Sequence, residues 1–571
     1  MPPTPRAART GPDACPTALQ VHAAADGGLA RVRIPGGVLT AARARVLARA
    51  ARELGDGRLD LTSRGNLQLR ALPSGAELEL ADRLADAGLL PSLTHERARN
   101  VVASPLSGLD GQGGADVRPL VDALDTALCA SPSLAGLSGR FLFALDDGRG
   151  DVAALGADLC LLASGPDELT LLIDGVDVGL RAPAGTAQRA VVAHPGGAVR
   201  PGGAAHLGGA ARSGGAAHPA GVISPSGAAG SVGADRSAGV PGPTAAGLAV
   251  AAAEAFLAER AAQGSAGWRV SEIDQGVARI ADRLGVHAAP VTPALDPPAP
   301  PIGVIAHPAA GVALAVIIPL GRISATQLDL LADVAATGGG ELRFTPWRGV
   351  VVPGLPDASH LPGLVTAGLG ADADSPWYGV TACTGLPGCA KSHADVRVDA
   401  TTVTLGAARA ARDALPVHWI GCERACGHPA TPHVRVLATA RGYRVTGPAP
   451  LASPPPAGNR TSPAVAASSG PRTSPGASAL PGALASPGAS ALPGALASPG
   501  ASALSGGSAL SGGSVSPSGS ASSGGSALPG GSASPGGPAS PAAPADGVDL
   551  DRLAAAVAAA RTSFASQETG A

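Results

Sequence analysis

The sequence predicts an α+β protein built of two pseudo-symmetric halves, with disordered insertions between packed regions. Three observations carry this. A strand–turn–helix–turn–strand pattern occurs twice, from Leu29 and again from Val312. A second pair of related stretches follows, N-V-V-A-S-P-L-S-G-L from Asn100 and Y-G-V-T-A-C-T-G-L-P from Tyr378. Two long segments of low complexity lack the composition of a packed core.

Taken in order, residues 1–27 open M-P-P-T-P-R-A-A-R-T-G and read as a flexible N-terminus with no apolar signal core. Residues 28–97 hold the first repeat unit. Apolar alternation gives a strand, glycines give the turn, and Thr40 is placed to cap the helix. The second strand runs into Thr62, Arg64 and Gly65. Residues 98–299 form a larger first domain, with 194–245 as an insertion rich in Gly, Ala, Pro and His.

Residues 300–370 hold the second unit, with Ser324 as the helix cap and Thr345, Arg348 and Gly349 after the second strand. Residues 371–446 carry a metal-binding pattern. Residues 447–545 repeat S-P-G-A-S-A-L-P-G-A-L-A from Ser474 and Ser486, with a decaying copy at Ser498. No charge occurs between Arg472 and Asp546. Such sequence cannot bury enough apolar surface to offset the entropy of ordering. Residues 546–571 read as a short Ala-rich C-terminal helix.

The net charge of −2 over 571 residues gives no electrostatic case for nucleic acid or a membrane surface. No uninterrupted apolar run reaches the length of a membrane-spanning helix. Seven cysteines are an odd, sparse set, unlike a secreted disulfide framework, and fit a reducing cytoplasm.

Four of them are grouped. Cys383 and Cys389 stand as C-x5-C, and Cys422 and Cys426 as C-x3-C. Two short pairs of thiolates hold a metal centre. Gly385, Gly388, Gly421 and Gly427 in the same loops let backbone approach a bulky inorganic group. An iron–sulfur cluster fits the spacing better than zinc, whose knuckles use narrower first pairs. Ser104 or Pro105 stands where Cys383 stands, so only the second half carries the centre. Cys15, Cys129 and Cys160 have no motif around them. Lys391, the only lysine, lies two residues after Cys389.

These residues resemble the nitrite/sulfite reductase superfamily. Its C-x5-C and C-x3-C motif matches Cys383, Cys389, Cys422 and Cys426, and its T-x-R-x-x-x-Q motif matches Thr62, Arg64 and Gln68. Within it, T-S-R-G-N-L-Q-L-R, T-G-L-P-G-C-A-K-S-H-A-D, G-C-E-R-A-C-G-H-P and F-A-L-D-D-G-R-G-D resemble the precorrin-3B synthase family. The resemblance implies that each half pairs a ferredoxin-like unit (28–97 and 300–370) with a reductase-type α+β domain. The enzymes that reduce sulfite or nitrite commonly carry asparagine inside the last C-x3-C and a glutamine after the motif arginine. Here Glu423, Arg424, Ala425 and Gly65 stand there. A single lysine cannot supply the lysine pair that sulfite reductases use.

The resemblance further implies a [4Fe–4S] cluster on the four cysteines and an oxygen-dependent monooxygenase. Precorrin-3A would be hydroxylated at C20 and closed to a γ-lactone, in cobalamin biosynthesis. Dioxygen would be the oxidant, and NADH would supply electrons through a reductase partner, since no dinucleotide-binding fingerprint is present. Arginines clamp carboxylates in bidentate fashion. Arg64, Arg70, Arg348, Asn66, Gln68 and Lys391 are therefore the candidate substrate-binding residues, with Arg140 and Arg149 behind them. Arg348 is taken as the second-half equivalent of the first-half arginines, and Asn66 and Gln68 as a polar pair facing the cleft. A mononuclear non-haem iron would activate oxygen; His393, His418, His428, His433, Asp395 and Glu423 are open candidates. No catalytic residue is assigned. Two other readings stay open: a siroheme-dependent (haem-binding) sulfite or nitrite reductase, and a zinc-binding scaffold.

Overall fold

The computed structural model describes residues 13, 15–184, 244–287, 290–307, 311–406, 414–429, 431–447 and 549–562. Nearly all of the insertion expected at 194–245 and of the segment 447–545 lies outside the described residues.

In the first half, β1 (His22–Ala24) and β2 (Gly27–Val32) form a hairpin, and β3 (Val38–Thr40) leads into α1 (Ala41–Leu54). A second hairpin follows, β4 (Arg58–Leu61) and β5 (Leu67–Leu72), then α2 (Ala76–Asp86). The larger domain contributes β6 (Val101–Ala103), α3 (Arg118–Ala130), β7 (Phe143–Asp146), β8 (Leu159–Ala163), β9 (Glu168–Ile173) and β10 (Val176–Pro183). Helices α4 (Ala245–Ala262) and α5 (Gly276–Arg283) complete it.

The second half repeats the plan. Strands β11 (Gly303–Ala306), β12 (Val312–Ile317) and β13 (Arg322–Ser324) precede α6 (Ala325–Ala336). Then come β14 (Glu341–Phe344), β15 (Gly349–Leu355) and α7 (Leu361–Thr366). The last sheet has β16 (Val380–Ala382), crossover helix α8 (Val396–Gly406), β17 (Val417–Ile420), β18 (Val434–Thr439) and β19 (Gly442–Thr446). Helix α9 (Leu550–Thr562) packs on α8, β18 and β19.

Both expected caps are present. Thr40 accepts the Arg43 N–H, and Ser324 forms a reciprocal capping box with Gln327. The two repeat units are not separate sheets, however. One sheet runs β1-β2-β5-β4-β13 and the other β11-β12-β15-β14-β3, so each unit lends a strand to the other. The joins mirror one another: Ala41 N–H donates to Gly340 O at 2.8 Å, and Ala325 N–H to Gly57 O at 2.9 Å. A Cβ on Gly37 would stand 2.1 Å from the Phe344 carbonyl oxygen, so this approach requires glycine. Helices α1 and α6 pack Leu47, Ala48 and Ala51 with Leu328, Leu331 and Ala332 in one core shared by both units.

The hairpin turns correct one expectation. Thr62 N–H donates to Asn66 O and Gly65 N–H to Thr62 O; Thr345 N–H donates to Gly349 O and Arg348 N–H to Thr345 O. Arg348 therefore occupies the place of Gly65, not Arg64, and both take the left-handed conformation, φ 62° and 67°. Trp347 stands where Arg64 does. The one-residue difference in the spacing from threonine to arginine hides this in the sequence.

The larger domains are also equivalent. Strands β6, β7 and β8 are parallel and β9 turns back; β16, β17 and β18 are parallel and β19 turns back. Ser104 N–H donates to Leu145 O at 3.0 Å as Cys383 N–H donates to Trp419 O at 2.9 Å. Of the two residues considered, Ser104 is thus the one that stands where Cys383 does.

Candidate functional site

Cys383 directly follows β16, and Cys422 follows β17 by two residues. These strands are parallel neighbours, so both cysteine loops leave the same edge of the sheet, where the carboxyl ends of parallel strands make a natural site. The loops interlock. His393 N–H donates to Gly421 O at 2.9 Å, and a Cβ on Gly421 would lie 2.0 Å from Ser392 Oγ. Gly421 N–H donates to Cys383 Sγ at 3.1 Å. Burial raises the Cys383 thiol pKa, with the amides of Gly421 and Gly385 opposing it. Cys389 and Cys422 are half-buried and Cys426 is exposed.

The first half shows what this edge looks like without cysteines. Asp147 N–H donates to Ser104 Oγ at 3.2 Å, just as Gly421 donates to Cys383. Asp146, equivalent to Ile420, accepts the amides of Gly148, Gly150, Val152 and Ala153. Its carboxylate fills the loop from within. In the second half Ile420 has no acceptor. Among the described residues, the corresponding amides of Cys422, Arg424, Cys426 and Gly427 donate to no protein group. Amides left open in the loop that carries Cys422 and Cys426 are donors of the kind that stabilise the sulfurs of a cluster.

Zinc fits less well. A tetrahedral zinc with bonds near 2.3 Å needs sulfurs only about 3.8 Å apart. Among the described residues no three of these cysteines gather their sulfurs within 4.8 Å; the group that does gather is Asp146, Asp147 and Asp151.

Three guanidinium groups hold the cysteine loops by their carbonyls. Arg70 Nη2 donates to Gly388 O at 2.6 Å, Arg348 Nη2 to Gly427 O at 2.6 Å, and Arg397 Nε to Cys383 O at 3.1 Å. Arg70 also pairs with both oxygens of Asp26, and Arg397 with Asp60. Arg70 and Arg348, expected as carboxylate clamps, here tie the two repeat units to the cysteine loops.

Arg64 is placed differently. It is half-buried near Arg31, Arg33 and Arg269, with Nη1 reaching Gly139 O at 3.3 Å. Burial, with these neighbouring cations adding to it, lowers its pKa to about 10; Arg33, only 2% exposed, falls to about 9 by burial and the charge of Arg31. Several desolvated cations favour an anionic ligand.

The polar pair expected to face the cleft is otherwise engaged. Asn66 is buried; its Oδ1 accepts the Ile34 amide and its Nδ2 donates to Asn100. Gln68, with its amide turned, accepts from Arg31. Arg140 lies over the Trp268 ring, and Arg149 is committed to Asp110 and Asp147. Lys391 and His393 are exposed, and Asp395 accepts the amides of Arg397 and Val398 at the start of α8. Glu423 pairs with Arg444 at the surface.

His418 is fully buried and neutral. Burial first, then the charge of Arg348, lowers its pKa to about 3. Its Nε2 donates to Cys426 O, which leaves Nδ1 to accept from the Thr381 hydroxyl. His428 and His433 stack at 5.7 Å, each bonding a backbone carbonyl through Nδ1. Sequence reasoning missed Arg31, Arg33, Arg397 and Asp26. The R-V-R alternation at the end of β2 and just beyond it was the signal for the first two.

The profile of the Nitrite/Sulfite reductase ferredoxin-like half domain matches residues 22–87 and 306–362, the two strand-exchanging units. A precorrin-3B synthase from Sinorhizobium sp. is 26% identical over 75% of this chain and 81% of its own length. A ferredoxin–nitrite reductase from Synechococcus elongatus is 26% identical over 70% of this chain and 74% of its own length. The solved structure of the Mycobacterium tuberculosis NirA protein superposes with a TM-score of 0.51 at 20% identity, covering 73% of this chain and 74% of that one. That likeness is one of fold.

Proposed function

We propose that this chain, which carries two ferredoxin-like half domains of the nitrite/sulfite reductase type, is an iron–sulfur oxidoreductase acting on a tetrapyrrole, with precorrin-3A as its substrate. The observation that carries the reading is the paired cysteine edge, four thiols and free amides on adjacent parallel strands, where the first half has its own aspartate instead. Cys383, Cys389, Cys422 and Cys426 would hold a [4Fe–4S] cluster, which relays single electrons when bound. A mononuclear iron for oxygen activation is part of the proposal; its ligands are unassigned.

The chain's own residues account for binding. Arg64, with Arg31 and Arg33 behind it, offers concentrated positive charge to the carboxylates of a macrocycle. Arg70, Arg348 and Arg397 fix the cysteine loops. In the proposed reaction one oxygen atom of dioxygen enters C20 and the other leaves as water. Two electrons come from NADH through a reductase partner, and a ring acetate closes to the γ-lactone.

A second reading, siroheme-dependent nitrite or sulfite reduction, rests on the Synechococcus relative, of equal identity. The lone, exposed Lys391 and the Glu423–Ala425 stretch weigh against it. One experiment separates them: anaerobic purification with a visible spectrum, iron and sulfide on one sample, then turnover of precorrin-3A under labelled dioxygen. Broad iron–sulfur absorbance and label in the product support the synthase. Sharp siroheme bands with nitrite or sulfite turnover overturn it.

A further inference from the structure

We propose that α9 is a detachable clamp on the cysteine-bearing sheet, and that its docking and cluster occupancy support one another. The second part rests on the reading of the four cysteines as a cluster site.

Leu553 and Val557, one helical turn apart, are 7% and 6% exposed and belong to the core of this sheet. One turn further on, Arg561 is 8% exposed, a rare burial for an arginine with no carboxylate partner among the described residues. Its Nε donates to Leu415 O at 2.8 Å and its Nη2 to Tyr378 O at 3.2 Å, while the Leu415 amide donates back to Arg561 O at 3.1 Å. Leu415 lies just before β17 and Tyr378 just before β16. A single guanidinium therefore joins the feet of the two parallel strands whose other ends deliver Cys422 and Cys383.

The strands need such support. β16 is three residues long and lies at the edge of its sheet, paired with β17 alone. At about 3.3 Å per residue, the pinned feet are only some 15–25 Å from the cysteines. Spreading the feet spreads the loops. Residues 447–548 separate the helix from β19 along the chain, so α9 reaches this sheet as a segment distant in sequence. By linkage, whatever fixes the far ends of β16 and β17 tightens its hold, and the reverse.

The test uses full-length protein: wild type, Arg561→Ala, Arg561→Lys, and a form with a protease site placed within 450–540 and cut after purification. Amide exchange at Val380–Ala382 and Val417–Ile420 is compared with exchange in β2 and β5, alongside iron, sulfide and cluster midpoint potential. We expect Arg561→Ala to exchange at least tenfold faster in β16 and β17 only, and to lose iron faster on dilution. Arg561→Lys, which keeps one carbonyl bond, should fall between. The cut protein should release the helix on dilution and then lose iron. Unchanged exchange in β16 and β17 of Arg561→Ala overturns the clamp, whatever the iron content. Iron-free wild type with faster exchange in Arg561→Ala leaves the clamp standing but sinks the cluster reading and the coupling with it.

Discussion

Arg64 and Arg70 sit six residues apart on one hairpin and do different work. Among the described residues Arg64 hydrogen-bonds no carboxylate, whereas Arg70 holds Asp26 and a carbonyl of the cysteine loop. Arg64→Ala should therefore weaken binding of a polycarboxylate substrate by tenfold or more, about 1.4 kcal/mol, with iron content unchanged. Arg70→Ala should lower iron content and thermal stability first, because it strands a largely buried Asp26 and frees Gly388. Titration of the protein against substrate and iron analysis separate the two effects. Asp151 gives a pH signature. Burial, reinforced by Asp146 and Asp147 against a hydrogen bond from Ser104, pushes its pKa up to about 7. Between 3.8 and that value the folded protein keeps a proton that the unfolded chain has released, so stability falls as pH rises through this window. Asp151→Asn should be more stable than wild type at pH 8, by on the order of 1 kcal/mol, and no more stable at pH 4. Thermal melts at the two values check this. The sequence pointed to Arg64 by its motif and to Arg70 as a second arginine of the same stretch, T-S-R-G-N-L-Q-L-R. It could not show Asp26 beside Arg70, since that pairing depends on the β1–β2 hairpin lying across β5.

The two strand-end loops are the clearest case of one backbone with two fillings. Asp146 satisfies its loop with its own carboxylate, while Ile420 leaves the matching amides open. Ile420→Asp should close the second loop in the same way, giving a folded protein without iron, measurable by circular dichroism and iron assay. The caps at Thr40 and Ser324 were legible because capping is local, a matter of four residues. Thr40→Ala should cost about 1 kcal/mol of stability on denaturant titration. The cysteine pairs were legible for the same reason. The exchange of β3 and β13 was not, because pairing between residues some 260–300 apart leaves no mark on either segment. Nor was the seat of α9: its Ala-rich pattern announced a helix, but not that Leu553, Val557 and Arg561 are the side chains it buries, with Leu550, Ala554 and Ala560 packed beside them.

At the scale of the molecule, the packed cores are built by residues 15–447 and by α9, and none of the described contacts depends on residues 450–540. Shortening that segment to about 20 residues should leave turnover unchanged and the melting temperature no lower; loss of turnover in a folded deletion would show that the segment acts directly. The exchanged strands carry another consequence, for the order of synthesis. β4 has its outer partner only in β13, which ends at Ser324. On the ribosome, the first half must wait with an open strand edge until some 260 further residues have been made, about 13–50 s at 5–20 residues per second. Nascent chains stalled before Arg322 should be digested by protease in the Ala41–Leu72 region. Those stalled about 40 residues beyond Phe344, with both exchanged strands outside the exit tunnel, should resist it.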